Sequence, residues 1–283
     1  MTGGGTGDGV ADLHVHSSCS DGTFSPAELP RLARQLGLHA LALADHDTID
    51  GCEVFAEACA GWGIEFIPAT ELTTEHNGVE VHILAYYVEL QNQVLHAALE
   101  RAQAARRARV RQIVARLNRL GIPLPVEAVL GSGKCSSPGR PHVAHALVQS
   151  GLCQTYHDAF ERYLGKNKPA WVPYPKISSA EAIVLIHSVG GLAVAAHPGL
   201  SNAESALPHL IAAGLDGIEC YHPKHTNAQT ARYLRMAASH GLLVTGGSDC
   251  HGEMKGEILL GTVRVPYAVA EQLKRGRRLR VEA

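Results

Sequence analysis

The chain has 283 residues, 46 % of them hydrophobic and 18 % charged, with a formal net charge of −2. That near-neutral balance supplies no strong non-specific pull toward nucleic acid or membrane, so neither a stable nucleic-acid complex nor a membrane partner is expected. No apolar run approaches the roughly 20 residues that span a bilayer, and 17 histidines against 27 Asp plus Glu are the anomaly.

The opening "MTGGGTGDGV" is Gly-rich without an apolar core, which predicts a flexible leader over residues 1–10 and no signal peptide. Beyond it, short apolar runs alternate with stretches of helical period, the pattern of βα units. "GVADLHVH" reads as the first strand. "SPAELPRLARQLG" follows as a helix, with Ser25 expected at the N-cap, Pro26 at N1 and Gly37 as the stop. "HALALADHD", "IEFIPATEL" and "VEVHILAYYV" are the next strands.

The alternation then fails. Residues 91–175 read as helices, chief among them "NQVLHAALERAQAARRARVRQIVARLNRLG", "PGRPHVAHALVQSG" and "YHDAFERYLG". They predict a helical insertion that covers one face of the domain. Seven arginines fall between Arg101 and Arg119, but Val110, Ile113, Val114, Leu117 and Leu120 form a stripe at helical spacing. The stripe is expected to be buried and the arginines to be the solvated face.

Alternation resumes with the strands "GLAVAAHPG", "LDGIECYHP" and "GLLVTGGSD", among the helices "EAIVLIHSV", "AQTARYLRMAASHG" and "RVPYAVAEQLKRG". Seven βα units predict a parallel barrel-like or doubly wound α/β domain built from residues 11–90 and 176–283. The seven cysteines show no C-x-x-C pair, which suits a reduced, cytoplasmic setting.

Side chains able to hold a metal gather where these strands end. In a strand, residues i and i+2 point the same way, so His14 and His16 face one direction and can share one ion. Asp45 and His46 follow "LALA", Glu71 follows "FIPAT", and His82 lies inside "VEVHILAYY". His197 ends one later strand, and Asp249 with His251 ends another. In parallel barrels the C-terminal strand ends build the active site. Histidine plus carboxylate without cysteine suits Mn²⁺, Zn²⁺ or Fe²⁺. Cys19 and Cys250, close in sequence to these groups, are read as packing residues.

Six ordered motifs, "DLHVHSSCSDG", "LADHDT", "TELTTEHNGVEVHILAYY", "AHPG", "GIECYHPKHT" and "GSDCHG", resemble the PHP (polymerase and histidinol phosphatase) family from Ala11 to about Gly261. The resemblance implies a distorted (β/α)7 barrel that holds three divalent metal ions and hydrolyses phosphate esters. One ion would take His14, His16 and Asp249, with Glu71 bridging to a second ion that adds His82 and His197. The third would take Asp21, His46 and His251. Some relatives carry a histidine where Asp21 stands, which adds charge here.

The stand-alone branch with a helical insertion is the closest in look. It implies hydrolysis of nucleoside 3′,5′-bisphosphates and trimming of short 5′-phosphorylated RNA, with a small nucleotide as substrate. Clustered cations neutralise a phosphoester's charge and lower the pKa of water, so that hydroxide is available for attack; Glu71 and Asp249 are the carboxylates expected at the reacting centre. "CSSPGRPH" offers Ser136, Ser137 and Arg140 as a clamp for a second phosphate; a helix cap with a solvated Arg140 is the alternative. Lys168 and Lys224 are weaker anion candidates. His222 is a candidate for protonating the leaving oxygen or binding phosphate, or else a structural histidine. A histidinol-phosphate-type monoesterase and a non-catalytic metal- or nucleotide-binding module are the competing readings, and oligomeric state is left open.

Overall fold

A computed structural model describes residues 9–131, 133, 135–200, 202–253 and 256–282. Most of the leader expected at 1–10 lies outside the described residues. The chain runs β1 (Val10–Val15), α1 (Leu29–Gln35), β2 (Ala40–Leu43), α2 (Cys52–Trp62), β3 (Glu65–His76) and β4 (Val79–Tyr86). Helices α3 (Gln93–Arg119), α4 (Glu127–Leu130), α5 (Arg140–Gln149) and α6 (Tyr156–Ala159) follow, then a π-helical turn at Phe160–Leu164. The rest is β5 (Ile177–Ser178), α7 (Ser179–Ser188), β6 (Leu192–Ala195), α8 (Leu207–Ala212), β7 (Gly217–Tyr221), α9 (Asn227–His240), β8 (Leu243–Gly246), β9 (Val265–Pro266) and α10 (Tyr267–Glu282).

The strands lie in the order β8-β7-β6-β4-β3-β2-β1-β9, with β5 paired to β3 off that path. The sheet nearly closes where the segment after β8 meets β1: Val15 bridges Cys250, and the His16 amide donates to the Cys250 carbonyl at 2.9 Å. Seven strands, β1 to β4 and β6 to β8, thus form the wall of a distorted (β/α) barrel. The distortion corrects the expectation of seven parallel βα units. β4 runs antiparallel to both β3 and β6, because Asn77 and Gly78, both at positive φ, make a two-residue hairpin turn with no room for a helix.

The first helix is also corrected. It starts at Leu29 with Glu28 at the N-cap position, not Ser25. Pro30 has no N–H to donate to the Pro26 carbonyl, so Pro26–Glu28 remain a turn, which the Glu28 carboxylate closes by accepting from the Ser25 amide and hydroxyl. Gly37, at φ 75°, ends the helix as expected.

Helix α3 begins where the Asn92 side chain accepts from the Val94 amide at 2.9 Å. Val110, Ile113, Val114 and Leu117 are buried against α5 and the π-turn, forming a core of the helical segment's own with Val143, Leu147 and Leu164. Each such side chain contributes about 1.5–3 kcal/mol when fully buried. Leu120, expected in that stripe, is 49 % exposed. The arginines depart further from expectation: Arg106 and Arg109 are buried. Every cysteine is a free thiol, with Cys250 buried and Cys19 half-buried. Among the described residues no helix is long and apolar enough to cross a membrane.

Candidate metal centre

The nine candidate ligands converge on one end of the barrel, and the backbone explains how. β1 carries His14 and runs into His16. β8 comes so close behind it that a Cβ on Gly247 would sit 2.4 Å from the His14 backbone nitrogen; only glycine fits. The buried Asp12 carboxylate fastens the two together by accepting from the amides of Ser248 and Gly261, at 2.8 and 3.0 Å. Asp45, at the end of β2, does not face the cluster. It accepts from the Ser17 amide, the Ser17 hydroxyl and the Ser20 hydroxyl, and so holds the turn that delivers Asp21.

Glu71 is the hub, and it is not at a strand end: β3 continues for five more residues to His76. Thr73 pairs with His82 across the hairpin, which places His82 on the same face as Glu71, one diagonal step away. Both oxygens of Glu71 are engaged. Oε1 lies 2.9 Å from His82 Nδ1 and 2.8 Å from His197 Nε2. Oε2 lies 3.2 Å from His14 Nε2, 3.3 Å from His16 Nε2 and 3.1 Å from His46 Nδ1. Asp249 Oδ1 is 3.2 Å from His16 Nε2, and Asp21 Oδ1 is 3.2 Å from His251 Nε2.

Three groups of ligand atoms emerge: His14, Glu71, His197 and Asp249; His16, Asp21, His46 and His251; and His46, Glu71 and His82. Compared with the division implied by the family resemblance, His197 joins the first group, His16 falls in the second and His46 is shared. His16 has one nitrogen toward each side, its Nδ1 being 3.9 Å from Asp21 Oδ1.

The chemistry of this donor set fits a cation. His14 Nδ1 lies 3.0 Å from Glu219 Oε1 and donates to that carboxylate, so the Nε2 of the neutral ring is a lone pair aimed at Glu71. His251 Nδ1 donates to the Asp249 carbonyl at 2.7 Å, which leaves its Nε2 facing a carboxylate in the same way. His16 Nδ1 and His46 Nδ1 are buried without a hydrogen bond among the described residues. Acceptors therefore confront acceptors, an arrangement that a bound proton or a metal ion relieves.

The proton affinities of His16, His82 and Glu71 follow these contacts, while burial holds His46 well below the ordinary imidazole range. Burial pushes His16 down, but hydrogen bonds to Asp249 and Glu71 raise it to about 9. Burial also opposes charge on His82, which Glu71 and Glu80 nevertheless lift to about 10. Burial would raise Glu71, yet His46, His14 and His82 hold it well below the ordinary carboxylate range. His197 and Asp249 sit at φ 25° and 51°, a backbone region that non-glycine residues seldom occupy and that clusters at functional sites.

The substrate-side candidates divide. A cavity of about 200 Å³ is lined by Asp21, His46 and His82 together with Arg106, Arg109 and Arg140. Arg140 Nη2 stands 3.8 Å from Glu80 Oε1. Ser137 is buried, with a hydroxyl that has no hydrogen-bond partner among the described residues. Ser136 is turned away, its hydroxyl bonded to Asp50. Lys168 is exposed and lines no described cavity beside the cluster, because its amide closes a turn onto the Gly165 carbonyl. His222 Nδ1 accepts from the Lys224 amide at 3.1 Å, so the ring carries its proton on Nε2, 3.4 Å from Asp249 Oδ2.

Several residues escaped the sequence reading. Glu219 orients His14 and also accepts from the His197 amide at 2.8 Å; its signal was an acid inside the apolar run "GIECY". Arg106 donates through Nε to Asp47 and through Nη2 to Thr73, both at 2.6 Å, locking α3 onto the loop after β2.

The chain matches the PHP domain family over residues 12–122. It is 35 % identical over 247 residues to a 5′-3′ exoribonuclease of Haemophilus influenzae, covering 85 % of this chain and 89 % of that protein. It is 33 % identical over 253 residues to a 3′,5′-nucleoside bisphosphate phosphatase of Chromobacterium violaceum, covering 87 % and 88 %. A solved structure described as a metal-dependent phosphoesterase from Bifidobacterium adolescentis aligns with a TM-score of 0.87 at 35 % identity, over 94 % of this chain and 96 % of the other.

Proposed function

The chain belongs to the PHP family and is a metal-dependent phosphoric ester hydrolase, and from that premise we propose that it removes the 3′-phosphate of nucleoside 3′,5′-bisphosphates. Trimming of short 5′-phosphorylated RNA from the 5′ end is the companion activity. The similarity to a bisphosphate phosphatase and to an exoribonuclease, at 33 % and 35 % identity, supports this pairing. One observation carries the reading: a single buried carboxylate, Glu71, within 3.3 Å of nitrogens from five histidines.

Three divalent ions, Mn²⁺, Zn²⁺ or Fe²⁺, suit this nitrogen and oxygen donor set. His14, His16, Asp249 and Glu71 would hold one, Glu71 with His82 and His197 a second, and Asp21, His46 and His251 a third. When bound, such ions neutralise a phosphoester's charge and make water acidic enough to attack near neutral pH.

The chain's own residues do the rest. Arg140, with Arg106 and Arg109 beside it, gives the substrate phosphates charge-assisted hydrogen bonds, and Ser137 supplies a further hydroxyl. His222 holds a proton at Nε2 on the cluster side, where a leaving oxygen can take it. Residues 91–175 act as a cover over the mouth of a barrel formed by 11–90 and 176–283.

The test is phosphate release from adenosine 3′,5′-bisphosphate, histidinol phosphate and a short 5′-phosphorylated RNA, with Mn²⁺ and again after chelation. Chelator-sensitive release of the 3′-phosphate is the expected result. Turnover of histidinol phosphate alone would point to a monoesterase. Tight metal binding with no release from any of the three would replace the enzyme with a binding module.

A further inference from the structure

The cavity beside the candidate ligands does not end at the cover. It shares Glu80, Arg109, Arg140 and Tyr174 with a second, outer cavity of about 440 Å³. Sites for small organic ligands run from about 300 to 1,000 Å³. The inner cavity, about 200 Å³, is therefore small for a whole nucleotide, and the adjoining cavity that shares Arg140 with it is the outer one.

The outer wall carries the one tryptophan near the site, Trp171. Its backbone is pinned on both sides: Arg116 donates to its carbonyl, and its own amide donates to Lys168. Its ring is free by comparison. Among the described residues no ring or cation lies over the indole, whereas neighbouring Tyr174 has Arg109 and Lys176 above its ring at 4.4 and 4.5 Å. Asn202 lines the same cavity at φ 61° with a side-chain amide that makes no capping hydrogen bond. It offers a donor and an acceptor at one point.

A rigid, half-buried aromatic face, an uncommitted amide and a guanidinium group at the junction match a particular ligand chemistry. A planar heterocycle stacks on an indole whatever its identity, an amide pairs with its edge, and a phosphate binds Arg140. We propose that the outer cavity is a nucleobase site: the base stacks on Trp171 and meets Asn202 while Arg140 holds a phosphate at the junction. This rests on the phosphoesterase reading above, and it makes base-bearing esters the preferred substrates over sugar phosphates without a base. Because stacking is tolerant of the base's identity, discrimination among bases is weak.

Two measurements test it. The chain has two tryptophans, and Trp62 is 45 % exposed on α2, outside the cavity wall, so Trp62→Phe leaves Trp171 as sole reporter. In the metal-loaded variant, adenosine 5′-phosphate should quench that fluorescence and bind about tenfold more tightly than ribose 5-phosphate, the scale of one stacked base. In turnover, Trp171→Ala should lower the ratio of kcat/KM for adenosine 3′,5′-bisphosphate over ribose 3,5-bisphosphate by about tenfold, and Trp171→Phe should keep most of it. Absence of quenching, or an unchanged ratio in Trp171→Ala, overturns the proposal. If Trp171→Ala does not fold, equal binding of the two monophosphates by the single-tryptophan protein overturns it instead. Failure of the phosphoesterase reading looks different: neither bisphosphate would release phosphate although adenosine 5′-phosphate still quenched.

Discussion

The barrel mouth and the proposed helical cover both line one cavity, yet they are built on different terms. At the mouth, His14 and Glu71 are fully buried, and the side chains that meet there are each held from behind, His14 by Glu219 and the Asp21 turn by Asp45. On the cover, Trp171, Tyr174 and Arg140 are half-exposed, and what holds them is chiefly backbone: Arg109 donates to the Val172 carbonyl and Arg116 to that of Trp171. Chemistry that needs charges fixed within a few tenths of an ångström sits on strands, as His14, Glu71 and His82 do, or on the loops that leave them. Recognition of the organic part of a ligand sits on segments that tolerate change. Among the bonds that join the two regions is a buried ion pair, Arg106 with Asp47.

The largest expected effect comes from the hub of the mouth. Glu71→Gln keeps the shape but loses the charge that five imidazoles share. Metal content by elemental analysis should fall, and kcat/KM should drop by more than about a hundredfold, the upper range for residues that merely orient a ligand. A Gln variant with full metal and full turnover would end the idea that Glu71 is the hub.

The joint comes next. Arg106→Met strands a buried carboxylate on Asp47, at a cost of about 3–5 kcal/mol, or roughly a 10 °C fall in Tm for a chain of this size. Adding Asp47→Asn should recover part of that loss, since the two residues are directly coupled. If thermal melts showed no change in Arg106→Met, the cover would not be fastened to the mouth in this way.

A cover residue should act on the choice of substrate more than on the chemistry. Arg140→Ala is expected to lower kcat/KM for a bisphosphate about tenfold more than for a simple monoester, the scale of a charge-assisted hydrogen bond. Equal losses on both substrates would remove the clamp and blur the contrast between the two regions.

The contrast also explains what could be read in the sequence. His14 and His16 are legible because period two in a strand forces both to one side, and turn glycines mark the loops that carry Asp21, His197 and Asp249. Glu71 was expected at a strand end, but alternation does not reveal where a strand meets the rim when a hairpin extends it to His76. The cover was legible as helices but not as a wall. Arg106 and Arg109 flank the apolar stripe of α3, and charge on a helix reads as solvated unless its partner, here Asp47 about sixty residues earlier, is known. Trp171 lies in an irregular stretch where no period exists to place it. Lys166 and Lys168, two lysines in one turn, look alike in sequence for the same reason, and of the two Lys166 lines the outer cavity.

The smallest effect tests whether the mouth owes its precision to what lies behind it. Glu219 touches none of the proposed ions, but it accepts from His14 Nδ1 and from the His197 amide. It thereby fixes the His14 tautomer with the Nε2 lone pair turned inward, and it steadies the residue held at φ 25°. Gln at position 219 offers one carbonyl oxygen where the carboxylate has two, so one of those bonds is lost while the volume is kept. Metal affinity should weaken by about tenfold, within the range seen when the outer partner of a ligating histidine is removed, and excess Mn²⁺ should restore kcat. A Glu219→Gln enzyme that binds metal as tightly as the original would mean that strand geometry alone orients His14. A variant that excess metal cannot rescue would mean that Glu219 takes part in the chemistry itself.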